Sequence, residues 1–313
     1  MASRLKGLDQ ITAWVGALGA AALIAAGVWY GSKYFAEQRE FGERNEIDAV
    51  LSEIDQPDKT THETPSDSDS TPGNDHAGEH NRKKAAAPLE KYGYAGNLAP
   101  WYWSNLNDKW HQCGLKTNQS PIDLSGAQLD ERLKTLKFFY LHGATNISFE
   151  NQTVRGLIER GSYIEWDGER FDLNSVYFRT PSEHRVNSLP FEMEVQLEHE
   201  SVDGRTIMVS ILLTTGKSND LIESIAKSIP KLPGDTVDVE RLNWSDLLPH
   251  KRTYWTYIGS STIPPCSPGV RWIVFTQETS ASKTSIDQFV LKQKSNARPV
   301  FSLGKRSLTR SNR

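Results

Sequence analysis

The sequence predicts a mainly β domain with minor helices, preceded by one transmembrane helix and a disordered acidic linker. Three observations predict it. Ile11 to Gly31 carries no charged residue. Residues 56–88 are rich in Asp, Glu, Ser, Thr, Pro and Gly and hold almost no large apolar side chain. From Tyr92 onward, short runs of β-branched and aromatic residues alternate with turn signals, as strands joined by tight connections do. The expected order over 313 residues is an N-terminal flank (1–10), the membrane helix (11–31), a polar juxtamembrane helix (32–55), the linker (56–88) and the β-rich domain (89–313).

The uncharged run of 21 residues spans about 31 Å as a helix, enough for a hydrocarbon core of roughly 30 Å. Trp14 near one end, and Trp29 and Tyr30 at the other, suit the two interfaces. A cleaved signal peptide has a shorter apolar region, so a retained anchor is the expectation. Ala13, Ala17, Ala21 and Ala25 recur every four residues, a spacing that lets a second helix approach closely. A protein partner in or at the membrane is expected from that stripe. Arg4 and Lys6 before the span are balanced by Lys33, Arg39 and Arg44 after it, so charge does not orient it.

Beyond the span, Phe41, Ile47, Val50, Leu51 and Ile54 are sparse apolar positions on an otherwise polar helix. Residues 56–88 cannot bury enough surface to fold and read as a tether. His76 and His80 within it belong to a solvated linker rather than a metal site. In the domain, strands are expected over Thr145–Phe149, Tyr163–Trp166, Ser175–Phe178, Phe191–Leu197, Thr206–Leu213 and Trp272–Thr276, with a hairpin turn at Asp167-Gly168. Leu221, Ile222 and Ile225 give a helical spacing over Asp220–Lys227. A net charge of −3 gives no case for nucleic acid as a partner, and two cysteines, Cys113 and Cys266, are too few for a four-cysteine zinc site.

Several motifs recur in a known order. Cys113-Gly114 is followed by Gln119-Ser120-Pro121-Ile122-Asp123-Leu124. Ile207 to Gly216 reads IMVSILLTTG, and Tyr254 to Trp272 reads YWTYIGSSTIPPCSPGVRW. Tyr92-Gly93-Tyr94 with Trp101 and Trp103 precedes them, and Asn296-Ala297-Arg298-Pro299 follows. Residues 92–308 thereby resemble an α-carbonic anhydrase. The resemblance implies a central, twisted, mostly antiparallel sheet of about ten strands with peripheral helices. It also implies that Cys113 and Cys266 form a disulfide, which places the domain on an oxidising side: periplasm, intermembrane space, or lumen and cell exterior.

Two further segments carry the resemblance and depart from it. Ser175 to His184 (SVYFRTPSEH) and Glu192 to His199 (EMEVQLEH) match the family's zinc-binding strands, which read roughly Q-F-H-F-H-x-P-S-E-H and E-x-H-L-V-H. The three positions that hold zinc in the family are here Tyr177, Arg179 and Gln196. A phenol with a pKa near 10, a guanidinium that keeps its proton and a neutral amide oxygen form a poor zinc set. No cofactor is therefore expected. Glu183 and Thr262 match the pair that orients the metal-bound water in the family, and Gln152 falls near its proton-shuttle position. Arg179 at the bottom of the former active-site cone needs a counter-charge, for which Glu194 is the expected salt-bridge partner. Arg179 with Thr262 could instead bind a small anion.

The resulting expectation is a membrane-anchored carbonic anhydrase-like pseudoenzyme acting as a binding or assembly module, a candidate subunit of a membrane complex. One alternative is an active zinc carbonate dehydratase with non-standard ligands. A second is a cell-surface domain that binds a glycan or an anion, for which sequons at Asn118, Asn146, Asn151 and Asn243 and a basic tail (Lys305, Arg306, Arg310, Arg313) are noted.

Overall fold

A computed structural model describes residues 91–312. The predicted anchor, juxtamembrane helix and linker lie outside the described residues. Among the described residues, no helix is long and apolar enough to cross a membrane.

The strands are β1 (Gln128–Leu129), β2 (Lys137–Phe139), β3 (Gly143–Glu150), β4 (Thr153–Ile158), β5 (Tyr163–Trp166), β6 (Glu169–Arg179), β7 (Arg185–Val186) and β8 (Leu189–Pro190). They continue with β9 (Met193–Glu200), β10 (Thr206–Thr215), β11 (Thr236–Leu242), β12 (Tyr254–Ser260), β13 (Pro268–Phe275), β14 (Thr279–Ala281) and β15 (Thr309–Arg310). Among the described residues there are three α-helices: α1 (Trp103–Leu106), α2 (Asp220–Lys227) and α3 (Lys283–Gln293). The main sheet runs β1-β15-β12-β13-β10-β9-β6-β4-β3-β11, with β14 beside β10 and the β2–β5 pair attached to β6. It is a mixed sheet: β10 runs parallel to β13 and β14, while β9 is antiparallel to both β6 and β10.

Strand alternation divides the side chains between two faces. Val176, Phe178, Val195, Leu197, Val209 and Ile211 enter the larger core, together with Trp244, Ile286 and Phe289 from the covering helices. Tyr177, Met208, Leu212, Tyr257 and Trp272 build a second cluster on the other face. A third cluster joins Trp103 and Trp110 to the Cys113–Cys266 disulfide, flanked by Tyr92 and Tyr94.

Helix α2 coincides with the expected Asp220–Lys227, and Asn219 caps it by accepting from the Ile222 N–H. The turn at Asp167-Gly168 is present with both residues at positive φ. Strand β9 begins two residues later than the expected Phe191, because the chain there is still leaving the β7–β8 hairpin. Strand β4 is not read from its sequence, since Arg155 and Gly156 interrupt its apolar pattern. Gly156 is required by packing: a Cβ there would lie 2.7 Å from Thr145 Cγ2 and 2.8 Å from Val176 Cγ1.

Candidate functional site

Tyr177, Arg179 and Gln196, the residues expected to match the family's ligand positions, meet on the face of β6 and β9 turned away from the larger core. Register places Arg179 opposite Glu194, Tyr177 opposite Gln196 and Ser175 opposite Glu198, while β10 sets Ser210 beside Gln196. Each apolar neighbour of these residues points into the main core, so alternation forces Tyr177, Arg179, Glu194 and Gln196 together.

Arg179 is 1% exposed. Its Nε donates to Gln196 Oε1 at 3.3 Å and lies 3.4 Å from Glu183 Oε2. Its Nη1 donates to the Tyr94 hydroxyl at 2.6 Å, and over longer distances to Thr153 Oγ1 and the Asn296 carbonyl. Burial opposes its charge, but the Glu183 carboxylate and the Tyr94 hydroxyl together outweigh burial and hold its pKa above the usual value. Gln196 uses both ends of its amide. Its nitrogen donates to Glu183 Oε2 at 2.8 Å and Glu194 Oε1 at 3.0 Å, while its oxygen accepts from Arg179. Tyr177 donates to Glu198 Oε2 at 3.1 Å, and burial, followed by the Glu198 charge, raises its pKa.

The expected Arg179–Glu194 salt bridge is not formed; the carboxylate beside Arg179 is that of Glu183. Glu194 is already saturated. Its two oxygens accept from the backbone N–H groups of Glu183 and His184, from Gln196, and from Ser210 Oγ at 2.6 Å, and pair with His184 Nδ1 at 2.8 Å. Burial alone would raise its pKa, but the His184 imidazole and these donors outweigh burial and hold it at about 2. The expected Glu183–Thr262 pair is also absent. Glu183 is taken up by Gln196, Arg179 and the Arg298 backbone N–H, and Thr262 is buried without joining them. The Arg179–Thr262 anion site is not assembled either, because the guanidinium is turned to Tyr94, Gln196 and Glu183.

Sequence reasoning missed Tyr94 as a site residue. It is braced there by Gln152, whose side-chain oxygen accepts from the Tyr94 N–H at 2.8 Å, and by Trp103, whose indole donates to the Gly93 carbonyl at 3.0 Å. Gln152 sits in the tight β3–β4 turn with Asn151, both at positive φ. The aromatic Tyr92-Gly93-Tyr94 segment was the available signal, but its contact with Arg179 joins residues 85 positions apart. In the basic tail, Arg306 is held by the carbonyls of Gln119, Ser302 and Leu303 rather than free.

The pattern described as eukaryotic-type carbonic anhydrase matches residues 98–312, and the chain belongs to that family. It is 32% identical over 228 residues to a carbonic anhydrase of Nostoc sp., covering 71% of this chain and 86% of the relative. Among solved structures, it is similar to the α-carbonic anhydrase of Thermovibrio ammonificans in complex with sulfanilamide, with TM-score 0.68, 31% identity, and 70% and 99% of the two chains covered. It is also similar to a dioscorin complexed with ascorbate, with TM-score 0.64, 26% identity, and 70% and 97% covered.

The residues at this site do not fit zinc. A buried guanidinium paired with Glu183 stands at one ligand position and repels a divalent cation. The amide at the second is fully engaged in hydrogen bonds, and the phenol at the third donates its proton to Glu198. Among the described residues, no group of three or more His, Cys, Asp or Glu is placed to hold a metal ion.

Proposed function

We propose that this chain is a carbonic anhydrase-like pseudoenzyme in which a cross-link of Arg179, Gln196 and Glu183 stands where the family holds its metal. The observation that carries this reading is the buried Arg179 guanidinium at a zinc-ligand position, engaged by Tyr94, Gln196 and Glu183. Buried charges of this kind persist where they are paired and hydrogen-bonded, and here they tie β6, β9 and the N-terminal aromatic segment together. The domain then serves as a binding or assembly module carried on the membrane by the uncharged run of residues 11–31, with a protein partner in or at the bilayer. The Cys113–Cys266 bond supports a position on the oxidising side of that membrane.

The competing reading, a zinc carbonate dehydratase, is favoured by the names of the relatives. The two are separated by zinc content and CO2 hydration of the full chain after exposure to excess zinc and exhaustive dialysis. The expected result is zinc well below one per chain and no hydration above background. The Tyr177→His, Arg179→His, Gln196→His triple variant is expected to retain close to one zinc, because Glu194 remains in place to orient a ligand. Near-stoichiometric zinc and hydration activity in the unaltered chain would refute the pseudoenzyme reading.

A further inference from the structure

Residues 91–118 follow the expected linker into the domain and run through a series of short turns. The Gly93 N–H donates to the Leu98 carbonyl at 2.9 Å, the Tyr102 N–H to the Ala99 carbonyl at 2.9 Å and the Asn105 N–H to the Tyr102 carbonyl at 2.8 Å. One side of this segment is spent on the core. Trp103 and Trp110 are buried there and pack with the Cys113–Cys266 bond. The other side is left open: Leu98, Trp101, Tyr102, Leu106 and Leu115 are all exposed, Trp101 by 68%.

These are five of the seventeen exposed large apolar side chains on the described residues, yet they fall within 18 of those 222 positions. Single exposed apolar residues are ordinary, whereas a contiguous group marks a surface that meets something. Local geometry makes this group contiguous. Tyr102 and Leu106 are four positions apart along α1 and share a face. Leu98 and Trp101 lie in the turns that directly precede the helix. Leu115 is brought to it by Gly114, where an added Cβ would lie 2.8 Å from Ser104 Oγ. The disulfide ties the platform to the β12–β13 connection, so the patch is held rigidly.

Residue chemistry, charge and chain path choose a bilayer interface as its occupant. Trp101 is the one exposed tryptophan among the described residues. Trp101 and Tyr102 each join an apolar ring to a polar tip, the combination enriched where hydrocarbon meets headgroups. Over residues 91–118 the exposed lysines are Lys91, Lys109 and Lys116, against the single exposed carboxylate of Asp108. Such a rim suits anionic headgroups, whereas a second copy of the chain would set two lysine rims against each other across a two-fold axis. The tether expected over 56–88 also arrives at this surface, since Gly93 is hydrogen-bonded to Leu98. A tether that keeps the domain near the bilayer raises its local concentration there, so a weak contact suffices.

We propose that the patch around Trp101 and Tyr102 seats the domain on the interface of the membrane that carries it, with the lysine rim toward anionic headgroups. This rests on the membrane-anchored reading given above. The domain then holds one face to the bilayer rather than swinging at the end of its tether.

The test is bromine quenching of tryptophan fluorescence in the full chain, reconstituted in nanodiscs of phosphatidylcholine and phosphatidylglycerol with brominated acyl chains. The Trp101 signal is the emission lost in Trp101→Phe. At least half of it is expected to be quenched relative to unbrominated discs. Leu98→Gln with Tyr102→Gln, both at exposed positions, keeps the reporter and is expected to cut the quenching at least twofold, as is replacing phosphatidylglycerol with phosphatidylcholine. An equal Trp101 signal in brominated and unbrominated discs would overturn the docking. Quenching unchanged by the double variant would overturn the patch as its cause, and shielding of Trp101 that grows with protein concentration would assign the surface to a second copy instead. Trp14 and Trp29 of the expected span report the anchor separately, because their quenching persists in Trp101→Phe. If that quenching is absent and the chain elutes apart from the discs, the membrane-anchored reading fails and this proposal with it; if it is present without quenching of Trp101, only this proposal fails.

Discussion

Replacing Arg179 with Ala removes the guanidinium paired with Glu183 in a buried cluster. Glu183 would keep its Gln196 and Arg298 N–H donors but lose its ion-pair partner, and the Tyr94 hydroxyl, Gln196 Oε1 and Thr153 Oγ1 would each lose a donor. Removing one partner of a buried pair typically costs about 3–5 kcal/mol, because the remaining charge is left in a medium that solvates it poorly. For a domain of this size each kcal/mol moves the midpoint by about 2–4 °C, so a fall of roughly 6–20 °C is expected. The assay is thermal and urea unfolding of Arg179→Ala, and of Arg179→Met and Glu183→Gln singly and together. Once both charges are gone the penalty for an unpaired ion disappears, so the double variant is expected to be more stable than the sum of the single losses predicts, by about 1–3 kcal/mol. A loss below about 1 kcal/mol for Arg179→Ala, or strict additivity in the cycle, would refute the cross-link.

Two further outcomes are expected. Acid should destabilise the fold in two stages. His199 is buried against Tyr140, and loss of solvation lowers its pKa from 6.5 to about 3, so the unfolded chain binds the extra proton and stability is lost as pH falls from about 6.5 towards 3. Glu194, lowered from 4.5 to about 2, adds a second loss only below about pH 4.5. Each group contributes at most about 1.4 kcal/mol per pH unit, and a urea midpoint that stays flat between pH 6.5 and 4.5 would contradict the first stage. The Cys113–Cys266 bond closes a loop of 153 positions, so Cys113→Ser with Cys266→Ser should lower unfolding free energy by about 3–5 kcal/mol. Equal stability of that variant and the oxidised chain in the same buffer would refute the contribution.

Much of the site was readable before any fold was known. The frame Pro181, Ser182, Glu183, His184 and Glu194 fixed the register against the family, and within it Tyr177, Arg179 and Gln196 stood at the ligand positions. Local signals also sufficed for helix α2 and for the Asp167-Gly168 turn. Helix α3 was not found, because Val290 and Leu291 are both exposed and blur the spacing of Ile286 and Phe289.

The sequence by itself therefore determined the family, the mainly β class and the presence of Tyr177, Arg179 and Gln196 in the two segments that match the family's zinc-binding strands, because each depends on residue identity at fixed spacing along the chain. Only the tertiary structure decided which groups these residues meet. Glu194 is closed to Arg179 because Ser210 comes from β10 and His184 from the loop after β6, both competing for the same two oxygens. Tyr94 reaches Arg179 from a segment 85 positions away. Such partnerships are settled by strand register and by competition for a limited number of hydrogen-bond acceptors, which become definite only when the sheet is assembled.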